Sequence, residues 1–389
     1  MKITDVEIIP LSYGISDKPP RRRFFAVLKL TTDEGVIGWG EASDCYGHSH
    51  PMTVKALFDE KLRWLLIGQD PLPLEALMQR LRTHVYHPLG ARELVIQCLS
   101  AIDIALWDIR GKVLNKPIAA LLGQHHERLP LYAATKPAFY EPYERHMERI
   151  ERLTSRGVRA AKLRTGRDLA WDTTYLREMR AMLPDEVEIL VDGKYNYYPD
   201  SAIQVAQVLG EIGAVYFEEP IDDTSLDEMA RVAVHSPVPL AYGEHAYTVN
   251  DFRDLIQRGG ARVLTPDAAI CGGITEMMKI AALAQAFQLK VVPHCGGLTA
   301  IGMAANFHAA AAIPNVGHFE YDARAVQPLR DELATEPLFS NERIENGSIA
   351  VPSGPGLGIE VNERVFERYP YEIDPQVASS FSVYGTRHV

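Results

Sequence analysis

Cysteine is scarce in this chain. The four present, Cys45, Cys98, Cys271 and Cys295, are scattered and form no C-x-x-C pair. A disulfide framework does not fit that pattern, and a chain of 389 residues buries an ample core without cross-links, so reduced thiols are expected. No apolar run reaches the roughly 20 residues of a membrane span. The longest candidate, around 301–313, is interrupted by Asn306 and His308. The start, Met1-Lys2-Ile3-Thr4-Asp5, is charged early and carries no apolar signal core. A basic excess is absent too: 40 Lys+Arg stand against 51 Asp+Glu, a formal charge of −11. Nucleic acid and anionic membrane both require a concentrated basic surface, which excludes them as partners. These absences predict a soluble, cytoplasmic protein. An anionic substrate would need local cations or a metal to overcome the negative field.

What is present is ordinary globular composition, 47% hydrophobic and 23% charged, at a length that predicts two domains. Strand patterns come first. Residues 2–10 alternate, 24–31 are β-rich, Asp33-Glu34-Gly35 makes a hairpin turn, and 36–41 return. Between the first two strands a polar loop, 16–23, holds Pro19, Pro20 and the arginines Arg21, Arg22 and Arg23. A solvated loop and a lid touching an anionic ligand are both open readings there. From Pro51 the apolar period becomes 3.6, predicting helices at 52–67, 74–84 and 91–113; the last carries Leu94, Cys98, Ile102 and Leu106 on one face. Residues 1–125 therefore read as an α+β unit.

Eight short apolar or β-branched segments follow, at 129–134, 160–164, 188–192, 214–218, 239–244, 262–267, 289–294 and 318–322. Helix-compatible stretches separate them, among them 143–156, 201–212, 225–234, 249–258, 274–287 and 303–312. Such alternation predicts an α/β fold with a closed parallel (β/α) barrel over 126–325, with seven or eight helices. Beyond Asp322 the repeat is lost. The Gly/Pro-rich 353–358 and strand-like 359–361 predict that 326–389 returns to pack on the first unit. Aromatic clusters at 369–371 and 381–384 are either a contact surface or packing.

In a parallel barrel the loops after the strands open to one face, so polar residues at strand ends are the candidates for chemistry. They are Lys162 and Arg164, then Asp192, Glu218, Glu244, Asp267, His294 and Glu320. From Asp192 onward they recur at intervals of 23 to 27 residues, one βα unit each, which returns them to the same end. Asp192, Glu218 and Glu244 fall on adjacent strands. Three carboxylates in one low-dielectric mouth cannot all ionise without a counter-cation, and hard oxygen donors without Cys or His favour Mg2+. Taken singly, each acid would equally suit a strand-end salt bridge. Asp267 beside His294 makes a carboxylate–imidazole pair, a general base poised near neutrality. Lys162 and Arg164, at i and i+2, share the inward face and suit the gripping of a carboxylate. Arg164 cannot lose its proton at accessible pH, whereas Lys162 could act as a base if positive charge nearby depressed its pKa.

The segments Val191-Asp192, Phe217-Glu218-Glu219-Pro220, Tyr242-Gly243-Glu244, Pro266-Asp267 with Gly272-Gly273-Ile274-Thr275, and Pro293-His294 together resemble the enolase superfamily, closest to its mandelate racemase-like branch. The run 100–108 (SAIDIALWD) and 355–360 (PGLGIE) resemble it as well. The resemblance spans nearly the whole chain. It implies an N-terminal α+β capping domain, a modified (β/α)7β TIM-type barrel, and Mg2+-assisted removal of the proton α to a substrate carboxylate. It makes Asp192, Glu218 and Glu244 the metal ligands, Asp267 and His294 the dyad, and Glu320 a hydrogen-bond donor to the carboxylate or enolate oxygen. It also implies a homo-oligomer. Two departures stand out: the branch's usual Lys-x-Lys is Lys162-Leu163-Arg164 here, and the Asn or His two beyond the first ligand is Lys194.

With arginine in place of the second lysine, a two-base racemisation loses one base. Dehydration of an acid sugar to a 2-keto-3-deoxy acid is therefore expected ahead of racemisation, epimerisation or cycloisomerisation. The acid assisting the leaving hydroxyl is His294 after proton abstraction, or Lys194; Lys194 could equally bind substrate hydroxyls or balance the carboxylates. The segments 16–23, 44–50 (DCYGHSH) and 86–92 (YHPLGAR) are rich in His, Tyr and Arg, which suits a polyhydroxylated acid, an aldonate first and an aldarate second.

Overall fold

The computed structural model describes residues 1–17, 20–44, 49–135, 143–322 and 327–373. The alternating N-terminal sequence forms an antiparallel sheet of β1 (Ile3–Asp17), β2 (Pro20–Thr32) and β3 (Ile37–Ala42). The β1–β2 ribbon is longer than its polar sequence predicts, because Gly14 pairs with Arg22 and Asp17 with Pro20. The expected loop is thus largely strand. Arg22 reaches Ser12 Oγ and Glu372 Oε2, both at 3.0 Å, and these partners 10 residues away and at the far end of the chain leave no local signature. Residues 18 and 19 lie outside the described residues.

Helical segments at 51–66 and Glu93–Val113 pack on this sheet, and helix Leu74–Leu89 packs on Glu93–Val113. Helix Leu74–Leu89 runs through Tyr86 to Leu89, so most of the expected 86–92 loop is helix, and only 90–92 turn. In the expected 44–50 loop, residues 45–48, including Cys45, lie outside the described residues. Helix Glu93–Val113 lies flush against β3: a Cβ on Gly40 would come within 2.0 Å of the Ala101 carbonyl oxygen.

Eight parallel strands follow: β4 (Arg128–Ala134), β5 (Ala160–Arg164), β6 (Glu188–Asp192), β7 (Tyr216–Glu218), β8 (Leu240–Tyr242), β9 (Val263–Leu264), β10 (Lys290–Val291) and β11 (Phe319–Asp322). They neighbour one another in the order β10-β9-β8-β7-β6-β5-β4-β11. The two ends of that row are joined by a parallel bridge between Val291 and Val316, just ahead of β11. Among the described residues, seven helices of 10 to 14 residues lie between the strands, and the first helix after β11 is the four-residue Pro328–Asp331. Inside, Tyr132, Ala160, Leu190, Tyr216, Ala241, Val263 and Val292 form a small cluster of their own. Strand alternation puts the residue two beyond many of these, such as Lys162, Asp192 and Glu218, on the same inward face, one layer closer to the mouth.

The segment after Asp322 differs in detail from its sequence pattern. A short strand, β12 (Ser348–Ala350), pairs antiparallel with the start of β4, whereas strand-like 359–361 is reduced to a single bridge from Val361 to Ala334. The Gly/Pro-rich stretch returns to the first unit: Gly356 N–H donates to Lys116 O at 3.0 Å and Leu357 N–H to Asp108 Oδ1 at 2.9 Å. Tyr369 and Tyr371 pack on Tyr13 and Phe24 of the ribbon, ring centroids 6.2 and 5.7 Å apart. The 381–384 cluster lies outside the described residues. Cys98, Cys271 and Cys295 are buried free thiols, and no helix among the described residues is long and apolar enough to cross a membrane. The apolar run around 301–313 is instead helix Ala300–Ala312, buried at every position.

Two acids of the first unit cap barrel helices. Asp103 Oδ1 accepts from Thr275 N–H at 3.0 Å at the start of helix Ile274–Ala286, and Glu41 does the same for helix Ala300–Ala312. Such caps satisfy orphan N–H groups at a helix N-terminus. Burial pushes the Asp103 carboxyl up to about 7, against the pull of the Thr275 donors. A folded-state pKa raised above the unfolded value means that the native state binds the extra proton, so stability falls as pH rises through the interval. We expect wild-type stability, read as a urea midpoint, to decline relative to Asp103→Asn between about pH 4 and 7, by on the order of 4 kcal/mol over the whole window. Parallel curves for the two proteins would show that Asp103 does not titrate in this range.

Candidate active site

Cross-strand register assembles the barrel mouth. Arg164, Asp192 and Glu218 are successive partners across β5, β6 and β7, and Lys162 sits one layer below Arg164. Glu244 lies two residues beyond β8, and Asp267 and His294 each three beyond β9 and β10; these expected strand-end residues are on the first turns of loops. Glu320 is inside β11, beside Tyr132. All but Arg164 and Lys194 are at most 3% exposed.

Lys162 is wholly buried. Its Nζ donates to Glu218 Oε2 at 2.8 Å and lies 3.8 Å from Glu320, 4.0 Å from Asp192 and 5.3 Å from the centre of the Tyr132 ring. Burial alone would drive the amine towards neutrality, but Glu218, Tyr132, Glu320 and Asp192 outweigh it and hold the pKa well above that of an ordinary lysine. Lys162 is therefore held as a cation by these carboxylates in this arrangement. Arg164 donates from Nε to Thr135 O at 3.0 Å and brings Nη1 to 2.7 Å from Asp192 Oδ2.

His294 Nδ1 and Asp267 Oδ2 are 2.9 Å apart, and Nε2 lies 3.7 Å from Glu244 and 3.9 Å from Glu320. Burial opposes a charge on this ring, but Glu244, Glu320 and Asp267 push its pKa up to about 10. Glu320 is surrounded by cations and a backbone donor. Burial raises its carboxyl, yet Lys162, His294 and the Cys295 N–H, which donates to Oε2 at 2.9 Å, bring it below the usual range. In this arrangement its Oε2 accepts the Cys295 bond.

The three predicted ligands are not gathered into one set of donor atoms, because Lys162 and Arg164 engage two of them. The donors nonetheless suit a hard divalent cation. Glu244 Oε2 is buried without a hydrogen-bond partner, and Asp192 Oδ2 meets Arg164 outside hydrogen-bond geometry. Burial, with the charges of Asp192 and Glu244, raises Glu218 despite Lys162. Unpaired carboxylate oxygens and mutual repulsion are what a cation would relieve.

The tightest group of possible ligand atoms among the described residues is instead Glu219, Glu244 and His245, all within 4.8 Å. His245 Nδ1 is 3.0 Å from Glu219 Oε1 and 2.8 Å from Tyr195 Oη. Burial acts against its charge, but Glu219 and Glu244 raise its pKa to about 9, which suits an ion pair better than a metal ligand. The sequence reading missed this Tyr195–Glu219–His245 cluster. Its only signal was position: Glu219 and His245 directly follow two candidate ligands. Lys194, two beyond Asp192, adopts a left-handed backbone (φ 48°) as does Tyr195 (φ 58°), and its N–H donates to Asp192 Oδ1 at 2.9 Å.

A barrel with an N-terminal sheet-and-helix unit packed against it, and with a carboxylate cluster beside a carboxylate–imidazole pair at one mouth, is the architecture of an enzyme. Residues 9–123 match the mandelate racemase / muconate lactonizing enzyme N-terminal domain, and residues 145–365 match the enolase C-terminal domain-like family. The chain belongs to the enolase superfamily, in its mandelate racemase-like branch. It is 32% identical to the arabinonate dehydratase of Saccharolobus solfataricus over 92% of each chain. It is also 32% identical to the D-galactarolactone cycloisomerase of Agrobacterium fabrum, over 88% of this chain and 90% of that one. A solved enolase-superfamily structure from Polaromonas sp. JS666 superposes with a TM-score of 0.87 at 35% identity, covering 96% of this chain and 98% of the other.

Gly296 borders the imidazole directly. A Cβ there would lie 3.0 Å from His294 Nε2 and 3.3 Å from Glu320 Oε1. We expect Gly296→Ala to crowd the face where a substrate carbon must approach, lowering kcat/KM by about 10–100-fold, since small misplacements of reacting groups carry penalties of this size. Thermal unfolding should change little; unaltered kinetics would show that this face is not used.

Proposed function

We propose that this enzyme removes the proton α to the carboxylate of an acid sugar with the help of Mg2+, and eliminates the β-hydroxyl to give a 2-keto-3-deoxy acid. The observation that carries this reading is the 2.9 Å Asp267–His294 pair at the same mouth as Lys162, Arg164 and the carboxylates Asp192, Glu218 and Glu244. An aldonate is the favoured substrate class and an aldarate the second.

His294 Nε2 takes the α proton, and the electron pair of that C–H bond moves into the carboxylate, which becomes a dianionic enediolate. Asp267 orients the ring through Nδ1 and supports the imidazolium that forms. Lys162 and Arg164 provide fixed positive charge where the anion develops, which is usually the largest part of such catalysis. Asp192, Glu218 and Glu244 would hold the divalent cation, whose chemistry is to polarise the substrate carboxylate and offset its growing charge. Neutralising Glu244 would also bring the His294 pKa down from its high value towards a working range. Collapse of the enediolate expels the β-hydroxyl, which leaves as water with a proton from His294 or Lys194. The resulting enol tautomerises to the 2-keto acid.

Arg164 argues against a second base on the opposite face, because a guanidinium stays protonated. Cycloisomerisation is the alternative, favoured by the cycloisomerase relative; it uses the same proton abstraction and forms no 2-keto acid.

Acid sugars screened for semicarbazide-reactive product, with Mg2+ and with EDTA, separate these readings. We expect product from at least one aldonate or aldarate and none after chelation. Isomerised product without 2-keto acid would establish cycloisomerisation or epimerisation instead. His294→Asn should lower turnover by at least about 100-fold, in line with loss of a general base, while Mg2+ binding measured calorimetrically persists. Retained turnover would remove His294 from its role.

A further inference from the structure

His294 is oriented by Asp267, and Asp267 is itself oriented from another element. Its carboxylate is wholly buried. Oδ2 faces His294, while Oδ1 accepts from the Ala269 N–H at 2.8 Å and from Asn306 Nδ2 at 2.9 Å. Asn306, also wholly buried, belongs to helix Ala300–Ala312. Its own Oδ1 accepts from the Ala268 N–H at 2.8 Å, and Nδ2 donates to Gly302 O at 3.1 Å. Turning the amide over would set oxygen against a carboxylate and NH2 against an N–H, so the network admits one orientation. The first turn of the same helix is fastened to β3 by Glu41, whose carboxylate accepts from Thr299 N–H at 3.0 Å, Thr299 Oγ1 at 2.6 Å and Gly302 N–H at 2.9 Å. A carboxylate in the N-terminal sheet thus reaches the imidazole through a chain of direct hydrogen bonds and one rigid helix.

We propose that Asn306 is a positioning residue for the Asp267–His294 pair, fixing the rotation of the Asp267 carboxylate, and that Glu41 sets the helix that carries it. The inference rests on reading that pair as catalytic. Without the Asn306 amide, Oδ1 keeps a single donor, and the carboxylate is free to turn its second oxygen away from Nδ1.

The test uses 15N-histidine-labelled protein saturated with Mg2+, with His294→Asn to assign the His294 Nδ1–H resonance. In Asn306→Ala and Asn306→Asp that resonance should move upfield or broaden as the bond to Asp267 weakens. On a substrate found for the wild type, kcat should fall about 10–100-fold with KM within about twofold, the usual size of an effect transmitted through a supporting partner. Asn306→Asp is close to isosteric and keeps the Ala268 bond, so it decides the matter if the alanine variant does not fold. A folded variant with an unchanged resonance and unchanged kcat overturns the proposal. So does lowered thermal stability alone, which would make Asn306 merely structural. If the wild type converts no acid sugar yet the resonance still moves in the variants, the functional reading fails and the positioning role stands.

Discussion

Like charges crowded into a nearly dry barrel mouth repel one another, and the architecture of this enzyme is arranged around that problem. Asp192, Glu218, Glu244, Asp267 and Glu320 are each at most 2% exposed. Hydration cannot screen them, so each must find a cation or a backbone donor. Lys162 and Arg164 meet Glu218 and Asp192, His294 meets Asp267, and the Cys295 N–H meets Glu320. Glu244 Oε2 lies 3.7 Å from His294 Nε2 and is left without a hydrogen bond. In the proposed reaction a dianion forms here, which calls for surplus positive charge, and a cation drawn to these acids would supply it.

The N-terminal unit takes part in this arrangement through helix ends. Asp103 caps the helix that follows the loop bearing Asp267, and Glu41 caps the helix that follows the loop bearing His294. Both acids are buried, and both are pushed up to about 7 chiefly by that burial. Trp107 adds a bond from its indole N–H to Thr275 Oγ1 at 2.9 Å, and Ser100 Oγ accepts from the Gly272 N–H at 2.9 Å. The loops that carry the carboxylate–imidazole pair are therefore held from the N-terminal unit as well as from the barrel.

Much of this was legible from residue order. The period of about 25 residues survives in all eight barrel strands, because each βα unit buries its strand on both faces and leaves a continuous apolar signal. The strands shorten to two or three residues at β7 to β10, however, so Glu244, Asp267 and His294 sit on loops where strand ends were expected. Residues 20–23 are strand where a loop is expected, because Pro20 and the arginines lack strand character by composition and their pairing partners lie across the hairpin. The 86–92 segment was misread for a related reason: Pro88 sits inside the final turn of helix Leu74–Leu89, where the local rule expects a break. Glu320's acceptor character was invisible because it depends on three groups from β5 and the loop after β10.

The sequence by itself determined which side chains share the mouth, since inward alternation and the unit length are properties of local geometry that repeat along the chain. Tertiary structure alone decided their states: that Lys162 is held as a cation, that Glu320 accepts, that His245 pairs with Glu219, and that Asn306 holds Asp267. Charge and hydrogen-bond roles in a buried site follow from desolvation and from neighbours brought close in space, and neither quantity is written in the spacing of residues.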